Sequence, residues 1–140
     1  MIKNDWYKIF DCIILPLNNL PRNEHKMFSN IIGNINEYNI LTNKNTDKPL
    51  TIEELQKLSG YRNKREFNGI LNNLIHKKVI GVFKLPIYDH EIYAINPYIC
   101  IRRNTTLKII LDYFSDSSWA KLHDEYIEEF DIIKGGDYNE

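Results

Sequence analysis

The chain has 140 residues, of which 43% are hydrophobic and 26% charged, and its formal net charge is −1 at pH 7. This composition is ordinary for a soluble globular protein, and the many aromatic residues exclude wholesale disorder. A chain of this length is expected to form a single domain, residues 1–140, whose core needs no disulfide or metal to hold it.

Cysteine and histidine spacing gives no sign of a metal site. Cys12 and Cys100 are far apart, and the four histidines form no H-x-x-x-H pair, so neither a disulfide framework nor a zinc site is indicated. No apolar run approaches the roughly 18 residues needed to cross a bilayer, and charged residues within the first five positions do not fit a secretory signal. We therefore expect a cytoplasmic protein with reduced thiols, without cofactor, metal, small-molecule ligand or membrane association.

The amino-terminal segment, residues 1–19, is strongly apolar from Trp6 to Leu15. It predicts a short strand followed by a turn of helix, with Pro16 and Pro21 bracketing a loop. Two roles are open for it. It could be an arm that packs on a partner subunit, or an edge element that covers the chain's own core, which is the preferred interpretation.

A first long helix is predicted to begin at Asn23, a good N-cap residue. Its apolar residues recur at helical spacing, and they are Met27, Phe28, Ile31, Ile32, Ile35 and Tyr38. The polar stretch Asn39–Lys48 then predicts a loop. A solvated connector is preferred there over a phosphate contact through Lys44 or Lys48.

Two further helices joined by a tight turn are predicted next. Thr51 and Glu54 form a T-x-x-E capping box, and Gly60 suits the left-handed position that ends a helix. The following helix should begin at Asn63, with Glu66 three residues later. This order of two short helices around a glycine turn is typical of a helix-turn-helix.

The second of these helices has two chemically different faces. Its apolar stripe consists of Phe67, Ile70, Leu71, Leu74 and Ile75. The opposite face carries Arg62, Arg65, Gly69, Asn72 and His76, flanked by Lys64, Asn68 and Asn73. From Gly60 to Lys84 there are six cations and one acid, a net charge of +5. Arginine, lysine and asparagine are the residues that bind phosphates and base edges in the major groove, so this face is a candidate DNA contact.

A β-hairpin should follow, because Val79–Phe83 and Glu91–Ile95 are short and rich in β-branched residues. The turn between them, Lys84–His90, contains Pro86, and Pro97 ends the second strand. Minor-groove or phosphate contact by this turn and an ordinary exposed hairpin are both open. The candidate contact residues of the turn are Lys84, Tyr88 and His90.

Beyond the hairpin, Arg102 and Arg103 are predicted at the start of another helix capped by Thr105 or Thr106. The apolar stripe of that helix is Leu107, Ile110, Leu111 and Phe114. Ser115–Ser118 should end it and cap a last helix, Trp119–Phe130. The buried candidates of the last helix are Trp119, Leu122, Tyr126, Ile127 and Phe130.

The carboxyl-terminal part is acidic. Residues 106–140 contain nine acids and three lysines, a net charge of −6, so this end should face away from DNA. The helical extension 105–131 could form a dimer or fold back as a cap on its own core. Dimerisation is preferred, because two half-sites raise both affinity and specificity.

Three segments carry a resemblance to a known group of proteins. They are LPRNEHKMF at Leu20–Phe28, the run from Leu50 to Ile80, and YAINPYIC at Tyr93–Cys100. Together they resemble the winged helix-turn-helix proteins of the Firmicute plasmid replication initiator (RepL) family and related phage MarR-like domains. The resemblance covers roughly residues 7–104 and implies a winged-helix core at residues 20–104. The expected fold is mostly helical α+β with a small β-hairpin, and the carboxyl-terminal helices are additional to the core that the resemblance implies.

The resulting expectation is a sequence-specific, double-stranded-DNA-binding homodimer of plasmid or phage type. It would act in replication initiation or in transcriptional regulation, and it would not be an enzyme, because no Walker loop, G-x-S-x-G, H-E-x-x-H or G-x-G-x-x-G motif occurs. Arg102 or Arg103 could add a phosphate contact. The alternative is a protein–protein adaptor on a winged-helix scaffold. The predicted DNA-binding residues are Arg62, Asn63, Lys64, Arg65, Asn68, Asn72, His76, Lys84, Tyr88 and His90.

Overall fold

The structure is a computed structural model, and it describes residues 7–103 and 105–126. It has an α+β fold, with six α-helices and four short strands in the described part. In chain order they are β1 (Lys8–Ile9), α1 (Asp11–Asn18), α2 (Arg22–Ile31), α3 (Ile52–Ser59), α4 (Lys64–His76), β2 (Ile80–Phe83), β3 (Ile92–Ile95), β4 (Cys100–Ile101), α5 (Lys108–Phe114) and α6 (Ser118–Tyr126). None of these helices is long and apolar enough to cross a membrane.

The described part of the amino-terminal segment, residues 7–19, covers the chain's own core, which is the interpretation that the sequence favoured. β1 pairs with β4 in antiparallel register, and Ile13 and Leu17 of α1 are buried. α1 packs against α6. The prediction of a loop at Pro16 is wrong, because Pro16 lies inside α1. Burial of Ile13 and Leu17, which are one turn apart on the same face, outweighs the cost of a proline within a short helix.

Helix α2 begins earlier and ends earlier than predicted. Pro21 rather than Asn23 occupies the N-cap position, and the helix gives way at Ile32 to a single 3₁₀ turn. Ile35 and Tyr38 therefore lie beyond the helix. The guanidinium of Arg102 explains this early end, because it donates to the carbonyl oxygens of Gly33 (3.0 Å) and Ile35 (2.8 Å) and satisfies backbone groups that a longer helix would use internally.

The connector between α2 and α3 is only partly solvated. Residues 44–48 are exposed as predicted, but Asn39 is fully buried in a left-handed conformation with φ of 68°. The amide of Leu41 donates to the carbonyl oxygen of Tyr93 at 2.8 Å, and Ile40 forms an isolated antiparallel bridge to Ala94. The first residues of the connector therefore extend the edge of the hairpin sheet.

The hairpin forms in the predicted place. β2 and β3 pair antiparallel over four positions, from Ile80 opposite Ile95 to Phe83 opposite Ile92. α5 packs on β2, where the ring of Phe83 makes an edge contact with the ring of Phe114. The loop between the strands keeps all three candidate contact residues, since it spans residues 84–91.

The carboxyl-terminal helices differ from the prediction at their starts. α5 begins at Lys108 with Leu107 at its N-cap, so neither Thr105 nor Thr106 caps it. Thr105 instead donates its hydroxyl to the carbonyl oxygen of Glu37 at 2.6 Å. The serine-rich break does cap α6, because the Ser117 hydroxyl accepts from the amide of Ala120 at 3.1 Å. The predicted burial of Ile127 and Phe130 lies outside the described residues, as do the side chain of Tyr126 and most of the acidic tail.

One hydrophobic core joins the predicted winged-helix segment and the extension. Ile110, Phe114 and Ala120 of the extension are fully buried in the same cluster as the side chains of α2 and α4. The described part of the extension therefore folds back on its own core. The two cysteines are free thiols, and burial raises the pKa of both.

Candidate nucleic-acid interface

Helix α3 is held at both ends as the sequence predicts. The Thr51 hydroxyl accepts from the amide of Glu54 at 3.2 Å, while the Glu54 carboxylate accepts from the amide of Thr51 at 2.8 Å. Gly60 takes the left-handed conformation at the carboxyl end, with φ of 83°. An L-residue in this conformation would cost about 1–2 kcal/mol. The tight turn that follows α3 is thus encoded locally.

The turn between α3 and α4 is fixed by two amide side chains that the sequence analysis did not identify. Gln56 donates to the carbonyl oxygens of Tyr61 (3.1 Å) and Arg62 (3.0 Å). Asn30 of α2 donates to the carbonyl oxygen of Ser59 at 2.8 Å. These bonds order the backbone immediately before α4, where the first candidate contact residue lies. No local pattern could have found the bond from Asn30, because it joins α2 to the end of α3, 29 residues away.

Helix α4 has the two faces that its sequence predicts. Asn63 caps it by accepting from the amide of Glu66 at 2.9 Å, so the side-chain oxygen of Asn63 serves the helix itself. Four stripe residues are buried and Ile75 is half-buried. The exposed residues on and beside the opposite face are Arg62, Asn63, Lys64, Arg65, Asn68, Gly69, Asn72, Asn73 and His76.

Gly69 on the exposed face has no packing role. A Cβ built at this position would meet no atom within 4 Å apart from the helix itself. Glycine in a helix interior costs roughly 1 kcal/mol relative to alanine. Gly69 therefore destabilises α4, although no packing contact of the fold requires a glycine at this position.

The cations of residues 60–84 do not all have the same surroundings along α4. At its carboxyl end, Lys77 forms an ion pair of 2.6 Å with Glu24, whose side chain is 4% exposed. The ammonium of Lys78 lies 3.9 Å from the ring centroid of Tyr113. These two lysines hold α4 against α2 and α5. Lys77 is exposed, but its charge is paired with Glu24. Among the described residues, the exposed cations of α4 without such a pair are concentrated at its amino end, at Arg62, Lys64 and Arg65.

The candidate residues of the hairpin loop are less exposed than those of α4. Lys84 is exposed, but Tyr88 is half-buried against the core. His90 is also half-buried, and its Nδ1 lies 2.8 Å from the carbonyl oxygen of Glu91. The most exposed large apolar side chain of the described part, Ile87 at 78%, lies in the same loop. The structure thus places Lys84, Tyr88 and His90 together, on an element separate from α4.

Of the two arginines after β4, only Arg103 is exposed. Arg102 is half-buried and bound to the backbone at the end of α2, as described above. This observation leaves Arg103 as the member of the pair that a phosphate can reach.

Within residues 7–103 and 105–126, no group of three or more His, Cys, Asp or Glu side chains could hold a metal ion. Comparison of the chain with protein-family models, curated proteins and solved structures gave no match.

Proposed function

We propose that the protein is a cytoplasmic, sequence-specific, double-stranded-DNA-binding protein with a winged helix-turn-helix fold. The observation that supports it most is the exposed face of α4, which combines cations at the amino end with amides further along, opposite a buried apolar stripe. α3, the tight turn and α4 form the helix-turn-helix, and β2 with β3 forms the wing. α4 is the recognition helix.

The roles within α4 follow from the chemistry of base edges. Arg62, Lys64 and Arg65 lie where a recognition helix reaches deepest into the major groove, and they bind phosphates or the acceptors of guanine. Asn68 and Asn72, one turn apart, offer both a donor and an acceptor to adenine. Asn63, the N-cap of α4, and His76, its last residue, complete the contact surface.

The wing adds a second contact. Lys84, with Tyr88 and His90 behind it, lies against a phosphate or in the minor groove. Because Tyr88 and His90 are half-buried, we assign the larger share of binding to α4.

The protein acts in plasmid or phage replication initiation or in transcriptional regulation, as a homodimer and without catalysis. The assignment to this class rests on the resemblance described above. For the dimer contact we propose the outer side of α5, where Ile109 is 52% exposed although Ile110 and Phe114 of the same helix are fully buried. Light scattering should show a dimer, and Ile109→Glu should convert it to a monomer with an unchanged circular dichroism spectrum.

The test of DNA binding is selection of bound sequences from a random duplex library, followed by affinity measurements with the selected duplex. Arg65→Ala should weaken binding by about 1–3 kcal/mol and relax the sequence preference at one position. Lys121→Ala, which removes an exposed cation from α6, is the matched control and should change neither. Failure to select any sequence, or equal behaviour of the two variants, would remove α4 from the role of recognition helix.

A protein–protein adaptor on the same scaffold is the alternative, and the hairpin loop favours it. Ile87 is 78% exposed beside the exposed acids Asp89 and Glu91, and an apolar side chain with acidic neighbours suits a protein surface better than a phosphate backbone. Salt separates the two functions. A DNA-binding protein binds duplex DNA at low salt and loses affinity steeply as salt rises, whereas an adaptor shows no binding to duplex DNA at any salt concentration.

A further inference from the structure

A second basic surface lies beside the start of α4. We call it the α2 flank and define it as Arg22, Lys26 and Tyr61. Tyr61, the residue before Arg62, donates its hydroxyl to the carbonyl oxygen of Asn23 in the first turn of α2 (3.3 Å). The ammonium of Lys26 lies 5.7 Å from the centroid of the Tyr61 ring, a cation–π distance. Arg22 precedes Lys26 by one helical turn, so both lie on the same side of α2. Both are exposed.

The α2 flank and the hairpin lie at opposite ends of α3. At the amino end, the amide of Leu50 donates to the carbonyl oxygen of Leu41 (3.0 Å), and the amide of Leu41 donates to that of Tyr93 in β3 (2.8 Å). Tyr61 follows the glycine that ends α3. An α-helix of eight residues is about 12 Å long. The two surfaces therefore lie at opposite ends of α3 and do not overlap.

Their electrostatic characters differ. On the hairpin side, burial raises the pKa of Tyr93, and the carboxylates of Glu91 and Glu53 raise it further, which indicates negative charge beside β3. Asp89 is exposed in the same loop, so acids outnumber Lys84 there.

Helix α2 presents no exposed acid that would oppose the positive charge of the α2 flank. Glu24, the single acid of α2, is 3% exposed and paired with Lys77. Arg22 and Lys26 therefore add two exposed cations on the side of Tyr61, the residue before Arg62. The amino end of α4 itself carries the exposed Arg62, Lys64 and Arg65, with Glu66 as the acid in its first turn.

We infer that, when α4 lies in the major groove, the phosphate backbone of one strand runs along the α2 flank, with Lys26 and Arg22 as its main ionic contacts and Tyr61 orienting Lys26. This inference rests on the proposed function and deepens it, because it assigns the principal backbone contact to α2. Such contacts set the position and orientation of a protein on the duplex without specifying sequence. Lys84 on the acidic side makes the smaller ionic contribution.

The experiment measures the salt dependence of binding to a fluorescein-labelled duplex of mixed sequence, by anisotropy, with the full chain. The slope of log Kobs against log salt is negative, and each lost phosphate contact reduces its steepness by about 0.9. Lys26→Ala should lower it by about that amount, Arg22→Ala with Lys26→Ala by about twice as much, and Lys84→Ala by less than Lys26→Ala. Lys26→Arg should retain the wild-type slope. Lys121→Ala is the matched control and should leave the slope unchanged.

The outcomes separate the two proposals. If the wild-type chain binds the duplex with a steep salt dependence while Lys26→Ala behaves like Lys121→Ala, the inference about the α2 flank is overturned and the proposed function stands. A larger effect of Lys84→Ala than of Lys26→Ala also overturns it, because the backbone then lies on the hairpin side. If the wild-type chain binds no duplex at low salt, the proposed function fails as well. Lys26 is exposed on a helix, where alanine is a good helix former, so the variant is expected to fold.

Discussion

Replacing Asn39 tests how the connector before α3 is joined to the rest of the fold. The side-chain amide of Asn39 donates to the carbonyl oxygen of Ile95 (2.9 Å) and to that of Cys100 (2.8 Å). Both acceptor residues are fully buried. Asn39→Gly removes both donors and keeps a residue that tolerates the left-handed conformation.

The magnitude follows from these two bonds. A buried hydrogen bond contributes about 1 kcal/mol net, and a carbonyl left buried without its donor costs about 1–3 kcal/mol. Two such carbonyls, with the added chain entropy of glycine, give an expected loss of about 3 kcal/mol in the free energy of unfolding. With an m-value of about 2 kcal/mol/M, the urea midpoint should fall by about 1.5 M.

Urea titrations followed by tryptophan fluorescence provide the assay. Asn45→Gly, in the exposed part of the same connector, is the control and should stay within about 0.5 kcal/mol of wild type. Asn39→Asp keeps the shape but replaces the donor by a carboxylate facing two carbonyl oxygens, so at neutral pH it should be at least as destabilising as Asn39→Gly. If Asn39→Gly and Asn45→Gly shift the midpoint equally, these two hydrogen bonds do not anchor the connector.

Three further predictions concern single side chains. Gly81→Ala should cost about 1–3 kcal/mol in thermal denaturation, because the new Cβ would lie 2.7 Å from the ring of Phe114; an unchanged melting temperature would contradict this packing. Gly69→Ala should stabilise the fold by about 0.5–1 kcal/mol yet weaken binding to the selected duplex, and a gain in both would show that no DNA backbone approaches this residue closely. Burial raises the pKa of Tyr98 to about 12, so above the unfolded value of about 10 the folded state retains a proton that the unfolded state has lost. Stability should therefore fall as pH rises through this window. Tyr98→Phe should flatten that fall in urea titrations at about pH 9 and pH 11, and an unaltered pH dependence would rule out the contribution of Tyr98.

Several features of the candidate interface could be predicted because they are encoded over three or four residues. The capping box at Thr51, the left-handed Gly60 and the cap at Asn63 depend on bonds within one helical turn. The two faces of α4 follow from the period of 3.6 residues, since any helix with this stripe buries Phe67 and exposes Arg65 on the other side.

Other features depended on partners far along the chain. Asn39 was expected in a solvated connector, but its amide meets carbonyls 56 and 61 residues away. Arg102 was one of two arginines offered for a phosphate contact, but it binds the backbone at the end of α2, 67 and 69 residues away. A side chain that can donate several hydrogen bonds has no local preference among such acceptors, so its sequence position does not reveal its partner.

The sequence by itself therefore determined where the helices around the turn begin and end, which side of α4 is buried, and that the exposed side is basic at its amino end. Only the tertiary structure decided which of the cations are engaged by other side chains of the fold. In the sequence, Lys77 and Lys78 carry the same charge as Arg62 and Lys64. In the fold, however, Lys77 contacts Glu24 and Lys78 contacts Tyr113. The fold also brings Lys26 beside Tyr61. The physical reason is that a helix period is a short-range property of the chain, whereas charge pairing depends on distances that are set when the helices pack together.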